Sequence, residues 1–248
     1  MDKIVRQFEG HSGSDIFLMQ DGTSFFVRKT KNIERNYERL VSLATNSVPV
    51  PKIFSKHEDV IDMEYIRGID IATLLSYSDP ADLIDFCTTI FDKFQKTGCD
   101  VNYRHTYETH VTVPDVLSFT KDELIEKLPW IMPQSLYHGD FTLDNIIATE
   151  GGFYLIDGIT TVYDSFGFDL AKLRQDLTCG WFTRNKPEYN NPAFQAKLNY
   201  VSKCIGARYP LFNDDYLLIA MLLRVLNYTK PNSKDYRFLI KWIEKLWK

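Results

Sequence analysis

The sequence predicts an α+β protein of two lobes, a small β-rich N-terminal part with one helix followed by a larger, mainly helical part. Short apolar runs separated by turn residues come first, and apolar residues at helical spacing dominate from residue 78 onward. The chain has 248 residues, of which 44% are hydrophobic, so it is long enough to bury a substantial core. We expect the N-terminal lobe to cover 1–66 and the C-terminal lobe 67–248.

The β-rich part is expected to start with a hairpin. The runs "SDIFLMQ" and "FFVRK" are rich in β-forming residues, and Asp21-Gly22 between them is a strong turn signal. The segment "NIERNYERLVSLAT" (32–45) places its apolar residues on one helical face, and the prolines of "VPVPKIF" end that helix. A further strand is predicted in "DVIDMEYIRG" (59–68).

Helices fill the second part. The segment "SDPADLIDFCTTIFDKFQKTG" (78–98) has a cap signal at Ser78 or Asp79 and a stop at Gly98. Further helices are expected to start near three later cap signals, at Asn191-Pro192, Asn213 and Ser233.

Composition excludes several classes of protein. The N-terminus lacks the apolar run of a signal peptide, and the longest apolar run, "YLLIAMLL" (216–223), is too short to cross a bilayer. We therefore expect no membrane insertion. The four cysteines are scattered without a CxxC pair, which favours reduced thiols and a cytoplasmic location over disulfides or a zinc site.

Charge is spread unevenly along the chain. Residues 165–248 hold fourteen Lys and Arg against seven Asp and Glu, a net charge of +7, whereas the first 164 residues carry −11. Aromatic and basic residues are not interleaved as in nucleic-acid modules, so no nucleic-acid partner is expected.

The segment "SLYHGDFTLDNIIATEGGFYLIDGITT" (135–161) carries polar residues between apolar runs, where they are costly unless paired or functional. We interpret "LYHGD" and "FYLIDG" as two apolar segments that each deliver an aspartate. A hairpin between them would bring Asp140 and Asp157 together, with Asn145 on the loop. Such oxygen-rich groups suit Mg²⁺; alternatively, one carboxylate stays unligated and accepts a proton from a hydroxyl nucleophile.

His138-Gly139-Asp140, followed by Asn145 and Asp157, resembles the catalytic loop and metal-binding aspartate of the aminoglycoside phosphotransferase and choline kinase family, which has a protein-kinase-like fold. The resemblance implies that Asp140 is the catalytic base and that Asn145 and Asp157 bind Mg²⁺. His138 would hold the loop in shape. Gly139 stands where protein kinases have Arg, which points to the small-molecule branch.

The resemblance runs in order through roughly residues 5–175. The segment 35–51 resembles the family's helix and the turn after it, and Asp169 resembles the aspartate that buttresses the catalytic loop. The segment "IDMEYIRGIDI" (61–71) resembles the hinge, which implies that adenine meets the backbone of three residues: Glu64, Tyr65 and Ile66.

The segment "EGHSGSDIFLM" (9–19) stands where the family's phosphate-covering loop belongs. It contains Gly10 and Gly13 but not the full glycine pattern. The resemblance therefore implies that Ser12, Gly13 and Ser14 contact the phosphates, with hydroxyl groups in place of missing glycines.

The cation expected to grip the α- and β-phosphates is Arg28 or Lys29. Register favours Arg28, because "FFVRK" resembles the "LR" ending of many relatives and Lys29 would lie on the opposite face of the strand. The family's helix glutamate, which pairs with this cation, aligns with Asn36. Either the pair is missing, or Glu34 or Glu38 takes its place.

The leading hypothesis is an ATP- and Mg²⁺-dependent kinase acting on a small-molecule hydroxyl. The basic C-terminal part favours a neutral or anionic acceptor such as a sugar over a cationic aminoglycoside or choline. A second hypothesis is a kinase-fold nucleotide-binding regulatory protein without turnover. A third is a metal-dependent hydrolase that uses His138, Asp140 and Asp157.

Overall fold

The computed structural model describes residues 3–8, 14–189 and 191–248. Its strands are β1 (Lys3–Phe8), β2 (Asp15–Asp21), β3 (Ser24–Thr30), β4 (Ile53–His57), β5 (Val60–Glu64), β6 (Ile69–Asp70), β7 (Cys99–Asn102), β8 (Ile131–Gln134), β9 (Ile146–Thr149) and β10 (Gly152–Leu155). Its helices are α1 (Glu34–Thr45), α2 (Ile71–Tyr77), α3 (Ala81–Gln95), α4 (Arg104–His110), α5 (Lys121–Lys127), α6 (Phe166–Cys179), α7 (Pro192–Arg208), α8 (Asp215–Leu226) and α9 (Lys234–Leu246).

The chain forms two compact units. The first contains the described residues up to Leu74, together with His138–Asp140 and Asp144–Thr161; the second contains Leu75–Tyr137, Phe141–Leu143 and the described residues from Val162 to Lys248. A β-sheet N-terminal part with the helix α1, followed by a mainly helical part, confirms the predicted α+β class. The predicted lobe boundary after residue 66 stays a prediction.

The main sheet of the first unit is antiparallel, with the strand order β1-β2-β3-β5-β4. The predicted first hairpin is confirmed: β2 pairs with β3, and Gly22 at the turn has a φ of 58°. Helix α1 lies where its apolar spacing predicts, and it buries Leu40 and Leu43 completely or nearly so.

The second hairpin is shorter than predicted. It consists of β9 and β10, in which Thr149 pairs with Gly152 and Ile146 with Leu155. The segment "LYHGD" is a loop and not a strand, so the expectation that it forms one arm of the hairpin is wrong. The physical reason is Gly139, whose φ of 89° turns the chain out of the extended conformation.

The second unit is built around α6 and α8, which are buried on nearly every side. Polar side chains cap the helices where the sequence indicates: Asn191 accepts a hydrogen bond from the N–H of Phe194 (2.9 Å) and Ser233 from that of Tyr236 (3.1 Å). The cap of α8 is Asp214, one residue after the predicted Asn213. Helix α2 is not predicted by the sequence patterns above.

The four cysteines are free thiols. Burial raises the pKa of Cys87 and of Cys179 to about 12, so both thiols are protonated and unreactive at neutral pH. Over the described ranges, no helix combines the length and apolar character needed to cross a membrane.

Gln175 in α6 is fully buried, and neither atom of its side-chain amide has a hydrogen-bond partner among the described residues. Gln175→Met keeps the volume and removes the desolvated amide, so we expect it to stabilise the protein by about 1 kcal/mol and to raise Tm by about 2–4 °C. Thermal unfolding followed by circular dichroism measures this shift. The half-buried helical Gln195→Met is the control and should leave Tm unchanged; a fall in Tm for Gln175→Met alone would contradict the prediction.

Candidate active site

The short hairpin brings Asn145 and Asp157 to the same end of two paired strands. Asn145 directly precedes β9 and Asp157 follows β10, and the N–H of Ile156 donates to the carbonyl of Asn145 (2.9 Å). Because antiparallel strands run in opposite directions, a residue before one strand lies beside a residue after the other.

His138 ties the loop to the end of this hairpin. Its side chain is fully buried, the N–H of Asp140 donates to Nδ1 (3.3 Å), and Nε2 lies 3.0 Å from the carbonyl oxygen of Ile156. Since Nδ1 accepts, the ring hydrogen is assigned to Nε2, which donates to Ile156. The His138 carbonyl also accepts from the N–H of Ile159 (3.0 Å). These contacts hold the loop at the end of the hairpin, and the loop-shaping role of His138 stays a prediction.

Asp140 and Asn145 are in direct contact. The Asn145 amide nitrogen donates to the Asp140 carbonyl (2.8 Å) and to the Asp140 carboxylate atom Oδ2 (3.2 Å). The side-chain amide thereby orients the predicted base. Its remaining polar atom, the amide oxygen, is the kind of ligand that a hard cation takes.

Two features of the backbone require glycine at position 139: the positive φ and the close approach of the Ile159 carbonyl. A Cβ atom on this residue would lie 2.1 Å from the carbonyl oxygen of Ile159. No side chain fits there without a shift of the backbone, which gives a physical reason for glycine at the position where protein kinases have Arg.

Lys29, not Arg28, is the cation beside Asp157. Lys29 is only 3% exposed, and its Nζ forms an ion pair with Asp157 Oδ1. Arg28 makes a bidentate contact with Asp62, from Nε to Oδ1 (2.7 Å) and from Nη2 to Oδ2 (2.8 Å). The preference for Arg28 as the cation that grips the phosphates stays a prediction, while the contact with Asp157 is made by Lys29. The reason is register: Arg28 pairs across the sheet with Asp62, whereas Lys29 pairs with the fully buried Ile61.

Asn36 on α1 is also part of this cluster. It is 2% exposed, and its amide nitrogen donates to Asp157 Oδ1 (3.2 Å) and to the carbonyl of Gly158 (2.7 Å). Glu34 forms its ion pair with Lys56 (2.7 Å), so it does not replace the helix glutamate at Lys29. Glu38 is exposed.

Asp157 has a φ of 59°, in the left-handed region that non-glycine residues seldom adopt. Such a conformation costs about 1–3 kcal/mol and persists only where the surroundings hold it in place. Here the surroundings include Lys29 and Asn36, which both bind the same carboxylate oxygen.

The remaining nucleotide-binding candidates lie elsewhere in the first unit. Glu64 ends β5, and its N–H donates to the carbonyl of Lys52 (2.8 Å), while Tyr65 and Ile66 follow it and are half-buried. Ser14 is buried and its hydroxyl donates to the carbonyl of Lys31 (2.9 Å). Ser12 and Gly13 lie outside the described residues. The proposed contacts of all these residues with ATP stay predictions.

Asp176 is a buried polar residue that the sequence patterns did not identify. It is fully buried in α6, and its Oδ2 accepts from the N–H of Leu143 (2.7 Å), which lies in sequence between Asp140 and Asn145. Asp169, 1% exposed, precedes it by seven residues. Seven residues are about two helical turns, so both aspartates lie on one face of α6, and this spacing is the signal that could have identified Asp176.

The described residues offer few groups that could bind a metal ion. No group of three or more His, Cys, Asp and Glu side chains suited to a metal ion occurs among the described residues. The amide oxygen of Asn145 and the carboxylate of Asp157 remain. Mg²⁺ is usually held by one or two carboxylates together with water and phosphate oxygens, so this pair fits a nucleotide-bound magnesium ion but not an all-protein cage.

Solved structures resemble this chain over nearly its whole length. A thermostable mutant of aminoglycoside phosphotransferase APH(4)-Ia, in a ternary complex with ADP and hygromycin B, matches with a TM-score of 0.65 and 14% identity, over 97% of this chain and 92% of the other. A fructosamine-3-kinase described as putative, from Haemophilus somnus 129PT, matches with a TM-score of 0.59 and 12% identity over 100% and 92%. Plasmodium vivax ethanolamine kinase gives 0.52 and 12% over 100% and 82%.

The chain has the aminoglycoside phosphotransferase and choline kinase-like fold. Structural matches at 12–14% identity show a shared protein-kinase-like fold and the fold alone. Sequence matches are more limited. No family model matches the chain. Pesticidal crystal protein Cry10Aa of Bacillus thuringiensis subsp. israelensis is 36% identical over 81 residues, which are 31% of this chain and only 12% of that protein.

A comparison with Gly22 separates two costs of replacing Gly139: the collision with Ile159 and the strain of a positive φ. Both residues have positive φ, but a Cβ on Gly22 would meet nothing within 4 Å. We expect Gly22→Ala to cost about 1–2 kcal/mol, from φ alone. Gly139→Ala should cost clearly more in urea-induced unfolding, because it adds the collision with Ile159. Equal losses for the two variants would show that the loop relaxes freely around a methyl group.

Proposed function

We propose that this protein transfers a phosphoryl group from ATP to a hydroxyl of a small molecule, with Mg²⁺ as the cofactor. The contacts between Lys29 and Asp157 and between Asp140 and Asn145, within a phosphotransferase fold, carry this proposal. They supply the parts that phosphoryl transfer needs: a cation, two oxygen ligands and a carboxylate that can accept a proton.

In this proposal Asp140 accepts the proton of the acceptor hydroxyl and orients its oxygen. Asn145 holds the Asp140 carboxylate through the 3.2 Å hydrogen bond and presents its own amide oxygen for the metal, together with Asp157. Lys29 binds the phosphates. When bound, Mg²⁺ would neutralise charge on the phosphoryl oxygens; the residues themselves contribute alignment and charge, which account for most of the catalysis in this type of reaction.

The acceptor is proposed to be neutral or anionic, for example a sugar or sugar derivative. The net charge of +7 over residues 165–248 supports this class, since a polycation prefers an acidic surrounding. The similar structures carry the names of aminoglycoside, fructosamine and ethanolamine kinases, so a cationic acceptor is the alternative. Phosphorylation rates across a panel of neutral sugars, sugar phosphates, amino alcohols and aminoglycosides test the proposal. Faster turnover of kanamycin-like polyamines than of sugars would contradict it.

A second candidate function is a nucleotide-binding regulatory protein without turnover. Asn36 favours it, because the helix carboxylate that pairs with the strand lysine in protein kinases is absent at this position. A pure binder would show affinity for ATP without forming ADP on any member of the acceptor panel, so the same assay separates the two functions.

Asp140→Asn keeps the size of the side chain and removes its ability to accept a proton. We expect turnover to fall by about 100-fold to 10,000-fold, the usual contribution of general base catalysis, while ATP still binds. Steady-state kinetics and isothermal titration with a non-hydrolysable ATP analogue measure the two quantities. The exposed Asp144→Asn, four residues along the same loop, is the control. Near-native turnover of Asp140→Asn would show that another group is the base.

The two strand cations give a direct comparison. We expect Lys29→Met to reduce kcat/KM for ATP by about 100-fold or more, because it removes a buried positive charge from the phosphate site. Arg28→Met should reduce kcat/KM for ATP less than about threefold, since the Arg28 guanidinium binds the Asp62 carboxylate. The reverse order would return the phosphate role to Arg28.

A further inference from the structure

We propose that Asn36 is a positioning residue for the metal ligand Asp157, in the place where protein kinases use a helix carboxylate to hold the lysine. This inference rests on the proposed function, because it gives Asp157 its role as a ligand of nucleotide-bound Mg²⁺. Asn36 would act by fixing the carboxylate and the backbone of Asp157, without contact with substrate or metal of its own.

The contacts of Asn36 span both parts of Asp157 that must be fixed. Its amide nitrogen donates to the carboxylate at Oδ1 (3.2 Å) and to the next carbonyl, that of Gly158 (2.7 Å). One donor group therefore restrains both the side chain of Asp157 and the peptide that follows it. This matters because Asp157 has a φ of 59° and needs support to stay in that conformation.

Asn36 belongs to a longer line of contacts between α1 and the segment 157–160. Arg35 Nε donates to the carbonyl of Thr160 (2.7 Å), and the N–H of Thr160 donates to the carbonyl of Arg35 (2.9 Å). At Gly158 a Cβ would lie 3.1 Å from the side chains of Arg39 and Leu43. The helix thus lies directly against the segment that carries Asp157, and Asn36 makes the contact nearest to the carboxylate.

The position requires a hydrogen-bond donor. The atoms that face the Asn36 nitrogen are a carboxylate oxygen and a carbonyl oxygen, and both are acceptors. A glutamate or aspartate at this buried position would direct a further negative oxygen at Asp157, and the two carboxylates would repel each other. The lysine no longer needs a helix carboxylate, because Asp157 itself compensates its charge.

The consequence is an exchange of partners when nucleotide and metal bind. Lys29 and Asn36 share the oxygen Oδ1 of Asp157. In the proposed reaction Lys29 would bind the phosphates and Asp157 would bind the metal. The hydrogen bond from Asn36 would then hold the Asp157 carboxylate in its orientation. Loss of Asn36 is therefore expected to weaken metal binding in the nucleotide complex, in addition to any loss of stability.

The test measures binding and not turnover. The full chain is titrated with Mn²⁺, as a substitute for Mg²⁺, in the presence of saturating AMP-PNP, and free Mn²⁺ is followed by electron paramagnetic resonance. We expect Asn36→Ala to raise the Kd for Mn²⁺ by about tenfold, the loss expected for hydrogen bonds to a charged group. Asn36→Ser, which leaves a smaller cavity and a shorter donor, should give an intermediate loss and keeps the test valid if the alanine variant does not fold.

Leu40→Ala on the same helix is the matched control. Leu40 is 1% exposed, so its truncation lowers Tm through lost packing. If Asn36 positions Asp157, Leu40→Ala lowers Tm without changing the Kd for Mn²⁺. If Asn36 variants and Leu40→Ala lower Tm alike and none changes the Kd, the role of Asn36 is structural only and this inference is overturned, while the proposed function stands. If the unmodified protein binds no Mn²⁺ with AMP-PNP, the proposed function fails, and this inference fails with it.

Discussion

The ammonium group of Lys29 is almost completely removed from water, and a buried charge of this kind is tolerated only with a partner of opposite sign. Asp157 is that partner. The ion pair joins the central part of the main sheet to the residue that follows the β9–β10 hairpin, two parts of the chain more than a hundred residues apart in sequence. The geometry of the candidate site depends on this one contact, since removal of Asp157 would leave the buried charge of Lys29 uncompensated.

Contacts with backbone groups fix the rest of the candidate site. Gly139 allows the loop to approach the Ile159 carbonyl, the His138 ring connects Asp140 to Ile156, and the hairpin sets Asn145 beside the segment of Asp157. Each of these contacts uses a backbone group, so the loop is defined by hydrogen bonds that do not depend on long, flexible side chains. A preorganised arrangement of this kind is what phosphoryl transfer requires, because the protein contributes alignment and charge and little covalent chemistry.

The neutral side chain of Asn36 determines the net charge of the cluster around Asp157. With a neutral amide on α1, the lysine and the aspartate compensate each other, and the cluster of Lys29, Asn36 and Asp157 carries no net charge. A glutamate in the same place would make the cluster net negative and attract a divalent ion more strongly. The chain therefore combines the phosphotransferase fold with a neutral amide at the position of the helix carboxylate.

The sequence by itself determined the fold class, the first hairpin, helix α1, the caps at Asn191 and Ser233, and the candidate residues Asp140, Asn145 and Asp157. These features follow from local rules: apolar period, turn chemistry and a compact motif. Tertiary structure alone decided that Lys29 reaches Asp157 while Arg28 binds Asp62, because the alternation of faces along β3 was visible but its pairing register with β5 was not. It also decided the contacts of Asn36 and Asp176, whose partners are distant in sequence. A side chain's partner across the fold depends on how separate elements pack, and no short-range pattern encodes that packing.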